Sequence, residues 1–402
     1  MKIDKIINKY FYYVLVLCII FQVVLPIVCV FYKNDSITPF LKAVRYFCYS
    51  FCLLKIIFEY KKVTLFEMLG FVLSIIIFLF SGDKSIVVIM ILLVASKEID
   101  FKRFFSLLFK CLIVIFILII VLSLIKIVPD WTYTRGSNIR HSLGFIYPTD
   151  CFSLYLIIVL LYYYLVDKLK MMELFIIENI NVFLYLYTDG RMSFLLINII
   201  IIWLVITKNK KIASFLNTII SKKFLKTILC AFPIIMTVIS FSLIYMYDNK
   251  NVIALRVNEL FSDRILYSSR AVSNYDLTFF GQEAEWYGWG GYGYLISKDG
   301  FEYNFVDNSY VRILIDYGIV PTMIIIISYG LLIKKFIAKT DYKSVFVIII
   351  VLFWSFMEPY IFSARNVFIL FFVILLNSDS NINMRLFDFK SKRKVIRCVS
   401  NN

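Results

Sequence analysis

Apolar residues run along this chain in long blocks, separated by short segments that hold most of the charge and glycine. The first block, Phe11 to Tyr32, carries no charge over a length that, as a helix, crosses a hydrocarbon layer of about 30 Å. Blocks of this kind recur, and the pattern predicts spans near 11–32, 37–58, 64–80, 84–96, 104–127, 151–167, 171–187, 192–207, 224–246, 308–333, 343–358 and 360–377. The second carries Lys42, Arg45 and Lys55, and the fourth is short for a crossing. The expected fold class is an all-α integral membrane protein of about 12 transmembrane helices, a single polytopic domain over residues 1–402. A large loop at 248–306 separates spans nine and ten, and a basic tail occupies 378–402.

Charge gives these crossings a direction. With Lys2, Lys5 and Lys9 in the cytoplasm, every second connection should be basic, and it is: Lys61 and Lys62, Lys97 to Arg103, Lys168 and Lys170, Lys208 to Lys226, Lys334 to Lys343, and the tail from Arg385 to Arg397. Both termini are then cytoplasmic and the 248–306 loop lies outside. Composition agrees, since 61% apolar residues exceed the roughly 45–50% of water-soluble domains and make the lipid bilayer the expected solvent. The net charge of +16 suggests nucleic acid until the clusters are seen to flank apolar blocks, where they serve as topological anchors. No nucleic-acid partner is expected. The 8 cysteines fall almost entirely inside apolar runs without CxxC spacing, which suits plain packing, and the single histidine, His141, argues against a histidine-based metal site. No cofactor is expected. The first block lacks a small-residue cleavage site, so it is expected to be the first membrane helix.

Four polar clusters remain on the outward side. They are Arg135 to Pro148, containing Arg140 and His141; Asp189-Gly190-Arg191 at the mouth of span eight; the loop arginines Arg256, Arg264 and Arg270 followed by Asp307, Asn308, Ser309 and Tyr310; and Glu358-Pro359 with Arg365. The guanidinium fork binds phosphate oxygens in pairs and stays charged, so several arginines on one side imply an anionic ligand. For any single arginine a lipid headgroup is the simpler partner. The loop also carries a Gly/Tyr/Trp run from Trp286 to Tyr294, which suits either stacking on sugar rings or a belt at the membrane interface. Arg312 and Asp316 are four residues apart and share a helical face, where mutual pairing is expected. Glu178, between apolar stretches with Asn179 and Asn181, is expected to hydrogen-bond within the bundle.

In order, Arg140-His-Ser-Leu-Gly-Phe-Ile-Tyr-Pro148, Asp189-Gly-Arg-Met-Ser193, Phe261-Ser-Asp-Arg264 with Phe279-Phe-Gly281, and Asp307-Asn-Ser-Tyr-Val-Arg-Ile-Leu-Ile-Asp-Tyr-Gly318 resemble the Wzy-type polysaccharide polymerases of the O-antigen polymerase and ligase superfamily. The resemblance covers about Arg135 to Gly318, with the span count and the outer loop. It implies metal-independent glycosyl transfer at the outer face of a bacterial cytoplasmic membrane. There a chain on undecaprenyl diphosphate would be moved onto a new lipid-linked oligosaccharide, building O-antigen or capsule. A flippase and a chain-length regulator would be its partners. It implies diphosphate binding by Arg191 with one or more of Arg256, Arg264 and Arg270, and Arg140 fits a similar role on the earlier loop; Arg135, His141, Asn308 and Tyr310 are further expected substrate-binding residues. Where the ligase branch carries a histidine, this chain has Asp307, a carboxylate able to accept a sugar hydroxyl proton. Arg191 and Asp307 are thus the expected catalytic pair. A ligase of the same superfamily and a lipid-linked oligosaccharide flippase are the alternatives; the absence of an internal repeat argues against the latter.

Overall fold

The structure, a computed structural model, describes residues 2–376 except 33, 60–61, 167–169, 210, 213, 216–217, 219–221 and 289–302. It is 74% helical. In chain order the helices are α1 (Lys2–Ile19), α2 (Thr38–Phe58), α3 (Leu65–Ser81), α4 (Ser85–Ala95), α5 (Phe101–Leu124), α6 (Pro148–Leu165), α7 (Met171–Thr188), α8 (Arg191–Lys208), α9 (Lys223–Asp248), α10 (Val252–Leu260), α11 (Arg264–Asn274), α12 (Ser309–Tyr317), α13 (Ile319–Ala338) and α14 (Tyr342–Trp354). Among the described residues six helical stretches are long and apolar enough to cross a membrane: Tyr10–Ile27, α5, α6, α8, α9 and α13. Helices also form at the other predicted positions, but they are shorter or carry charge. At 1.5 Å per residue α4 reaches only about 17 Å. The last predicted span departs most. Residues 359–366 form turns around Pro359, Ser363 and Asn366, and a 3-10 stretch, Val367–Phe372, precedes a single turn at Val373–Leu376.

Lipid-type solvent is visible in the distribution of side chains. Leu79 and Phe80 on α3, Val114 and Leu118 on α5, Leu186 on α7 and Val238 on α9 are all exposed, so the bundle presents a hydrocarbon exterior. Inside, one apolar cluster runs from Phe11 to Val373. The helix α6 lies at its centre and is apolar on all sides, as burial on every face requires. Gly330 lets α13 approach α9 closely, since a Cβ there would stand 2.6 Å from the Cys230 carbonyl oxygen.

The chain alternates between two ends of this bundle. One end gathers basic residues: Lys97 pairs with the buried Glu67 at 2.8 Å, Lys62 with Glu98 at 2.8 Å, and Lys343 donates to the Val166 carbonyl. The other end gathers irregular backbone. There α1 passes through a π-helical turn at Ile20–Val24 into 3-10 turns, and the freed groups pair with the α5–α6 connection, Ile146 N–H to Ile27 O at 2.7 Å and Cys29 N–H to Gly144 O at 3.0 Å. The same connection departs from the all-α expectation by forming a β-hairpin, β1 (Thr132–Arg135) and β2 (Asn138–His141), turned by Gly136 and Ser137 with Gly136 at φ 59°. A glycine with positive φ at the first turn position suits a two-residue hairpin.

Among its described residues the 248–306 segment holds two helices, α10 and α11, over a small apolar cluster of Ile244, Ile265, Ala271, Val306, Val311 and Ile315. Its 275–282 stretch fills the break between α12 and α13. At that break Ile319 N–H donates to Thr278 O at 2.9 Å and Val320 N–H to Phe279 O at 3.2 Å, satisfying donors at the start of α13. Gly281 (φ 92°) and Gly318 (φ 85°) meet backbone to backbone. A Cβ on Gly281 would stand 2.1 Å from the Asp316 carbonyl oxygen.

Gly281→Ala should therefore destabilise the fold by about 3 kcal/mol or more, from backbone strain and overpacking together. Thermal unfolding in detergent measures it; an unchanged midpoint would contradict the packing described. Asn274, exposed at the end of α11, tests the sidedness expected from charge. Asn274→Cys should react with a membrane-impermeant maleimide in intact cells, and reaction only after permeabilisation would reverse the topology. Background should be low, since cysteines 18 to 230 are buried or half-buried.

Candidate functional site

The irregular end of the bundle encloses a cavity of about 910 Å³. Its wall is drawn from the turns after α1, the α3–α4 turn, the hairpin, the start of α6, α11, the 284–288 and 303–308 segments, α12 and the turns after α14. Five arginines line it: Arg135, Arg140, Arg264, Arg312 and Arg365.

Strand periodicity decides which hairpin residues face inward. Tyr133 and Arg140 are cross-strand partners and both are buried, while His141 and its partner Thr132 occupy the opposite face. Arg135, two residues from Tyr133, shares the inward face and pairs with Asp189 at 3.1 Å. Arg140 is 2% exposed; its Nε donates to Thr188 O at 2.7 Å, its Nη1 lies 3.4 Å from the Tyr147 hydroxyl, and its Nη2 is buried without a hydrogen-bond partner among the described residues. No ion pair with a carboxylate offsets it there. A buried, incompletely satisfied guanidinium on a cavity wall is a receptor for an anion.

At the centre Arg264, the first residue of α11, contacts two acids from different segments, Asp307 at 3.2 Å and Glu358 at 3.5 Å, and donates to the Met357 carbonyl. One guanidinium neutralises one carboxylate. Burial pushes Glu358 up to about 7 against the pull of Arg264, with Asp307 and Asp150 pushing the same way. Burial also raises Asp307, opposed by Arg264, Arg312, a hydrogen bond from Tyr303, and Arg135. Burial disfavours the charge on Arg264, yet the two acids hold it above the ordinary arginine value. Of the two acids Glu358 makes the longer contact with Arg264.

Two further pairs complete the wall. Arg365 donates to Asp150 at 2.7 Å and to the Tyr360 hydroxyl at 2.5 Å. Arg312 pairs with Asp316 at 3.2 Å, the helical partnership expected from their spacing, and stands over the rings of Phe305 and Trp286. Trp286 donates its indole N–H to Asp316 at 2.8 Å.

Of the residues expected at the site, Arg135, Arg140, Arg264 and Asp307 come together on this wall. The others stand apart from it. Arg191 begins α8, is 48% exposed, and pairs with Asp189 at 3.3 Å, the acid that also holds Arg135. Arg256 and Arg270 point outward on α10 and α11, and His141 bonds Asp130 at 2.6 Å behind the hairpin. Asn308 caps α12, accepting from Tyr310 N–H, and donates to Ser240; the buried Tyr310 donates to the Leu352 carbonyl. Both hold helices in place. Trp286 and Tyr287 from the aromatic run line the cavity, and residues 289–294 lie outside those described, as does the 378–402 tail. Sequence reasoning missed Asp83, Asp150 and Tyr303. Asp150, two residues into α6 behind Pro148, carried a usable signal as an acid at the head of an apolar block. Glu178 bonds Asn181 within α7 at 3.0 Å and takes no part in the wall.

Neither protein-family models, nor curated proteins, nor solved structures provide a match to this chain.

The central acid pair makes stability depend on pH. A carboxyl whose folded value is raised to about 7 contributes stability that is complete below its ordinary value near 4.3 and is lost as pH rises through about 7. The unfolding midpoint should therefore fall between about pH 5 and 8, and Glu358→Gln, which mimics the protonated acid, should flatten that fall. A midpoint that rises across this window, or an unchanged slope in the variant, would contradict the assignment.

Proposed function

We propose that this chain is a membrane-embedded glycosyltransferase that polymerises oligosaccharides carried on undecaprenyl diphosphate, at the outer face of a bacterial cytoplasmic membrane with both termini inside. What carries the reading is one arrangement: Asp307 held by Arg264 in a cavity whose hairpin side presents Arg140 without a carboxylate partner. The order of motifs that resembles the Wzy-type polymerases, and the convergence of four of the anticipated residues on that wall, support it. On the expected topology, about twelve crossings with the 248–306 segment outside, every wall segment would fall on the outer side.

In this reaction the acceptor hydroxyl oxygen bonds to the anomeric carbon of the donor sugar. The bond from that carbon to the diphosphate oxygen breaks, the proton passes to the Asp307 carboxylate, and the diphosphate leaves with its electron pair. Arg140 and Arg135 stabilise the leaving charge from fixed positions, which needs no reorganisation at the moment of bond breaking. Arg264 orients Asp307. Arg191, on the far side of Asp189, is a positioning residue that steadies the acid to which Arg135 is bound.

Asp307→Asn should abolish polymer, since a missing general base costs about 10²–10⁴-fold, and Arg140→Lys should impair it strongly by removing the fork. Loss of the gene should leave single repeat units on their carrier or acceptor. Gel and mass analysis of the surface glycans reads all three. Near-normal polymer with Asp307→Asn removes that residue from the chemistry. Accumulated long lipid-linked polymer points to a ligase, and units trapped on the cytoplasmic side to a flippase.

A further inference from the structure

Charge is not spread evenly around the cavity. Arg264, Arg312 and Arg365 are each matched by acids of the wall itself, and Arg135 by Asp189 beyond it. Only Arg140 lacks a carboxylate among the described residues, so the hairpin side is the cationic pole. The opposite pole is acidic and aromatic. Asp83, in the α3–α4 turn, accepts from the Tyr317 hydroxyl at 3.0 Å and from Ser85 at 2.7 Å, and has no cationic partner among the described residues. Asp316 is its electrostatic neighbour and already shares Arg312 with the Trp286 indole. The exposed ring of Tyr287 adjoins them on the same wall. Asp307 pairs with Arg264, whereas Asp316 pairs with Arg312 and accepts from the Trp286 indole, so the two acids belong to different parts of the wall.

We infer that this acidic, aromatic pole is the acceptor subsite, and that it takes a neutral or amino sugar and rejects a uronic acid. The inference rests on the glycosyltransferase reading above and adds the sugar class to it. Carboxylates and a phenol accept and donate to ring hydroxyls, indole and phenol rings cover the C–H faces of a pyranose, and an ammonium group on the sugar is matched by Asp83. A sugar carboxylate placed there meets two acids, only one of them offset, and like charges juxtaposed in a recess set specificity by repulsion. Asp307 then has the donor diphosphate on one side and the acceptor hydroxyl on the other, the order that a direct displacement needs.

The test uses the full chain in lipid nanodiscs and three tetrasaccharides: N-acetylglucosamine, glucosamine and galacturonate oligomers, with inorganic diphosphate as a separate probe. Binding is read by isothermal titration. The first two sugars should bind, and the galacturonate oligomer about tenfold more weakly or not at all, as one unfavourable charge contact worth about 1.4 kcal/mol requires. Trp286→Ala should weaken sugar binding while leaving diphosphate binding intact, and Trp286→Phe should retain part of it. Asp83→Asn should admit the galacturonate oligomer. Equal binding of all three sugars, failure of Asp83→Asn to admit the acid, or no binding by any of them overturns the subsite. Sugar discrimination as stated, alongside long lipid-linked polymer accumulating when the gene is lost, sinks the polymerase reading and leaves the subsite standing.

Discussion

Every backbone N–H and C=O within a hydrocarbon layer needs a partner from the protein itself, and this one requirement organises the molecule. Regular helix meets it without help, so the exterior is α-helix with apolar side chains. Among the described residues, departures from helix gather mostly at one end, where segments distant in sequence supply the missing partners. The π and 3-10 turns after α1 are completed by the α5–α6 connection, and the α12–α13 break by Thr278 and Phe279. The cavity is the space these mutual completions enclose. Its wall is polar because irregular backbone and its capping side chains are polar, and charge can be kept there only where it is paired.

The central pairing follows from that. Two acids on one arginine are a costly arrangement in a low dielectric unless one of them keeps a proton. Arg264 joins α11 to the 303–308 segment and to the turn after α14, so the same contacts that hold three pieces of chain together set the protonation state of the site. Arg135 feels both Arg140 and Arg264, so charge on the hairpin and charge at the central pair are electrically linked.

Helix positions were largely legible in the sequence because block length and charge alternation are set by the solvent, not by tertiary detail. What failed did so for physical reasons. The last predicted span becomes helical late because Asn366 is committed to the Tyr329 hydroxyl and to the Phe368 N–H, which caps a 3-10 turn. The hairpin went unseen because its strands are four residues each, too short for alternation to show. That alternation nevertheless decides that Arg140 faces the cavity and His141 does not. Arg191, Arg256 and Arg270 look equivalent to Arg264 in a sequence, and only helix phase and partners separate them. Asn308 and Tyr310 belong to a recognisable motif, but their atoms are spent on capping and helix docking.

The meeting of Gly281 with Gly318 reaches further than the turn itself. With no side chain between them, Trp286 and Asp316 become parts of one rigid piece although they lie 30 residues apart. The pair sets the register of residues 282–287, and with it the point at which Trp286 meets Asp316. Two residues with no side-chain chemistry of their own thereby fix how closely the segment that carries Trp286 stands against α12.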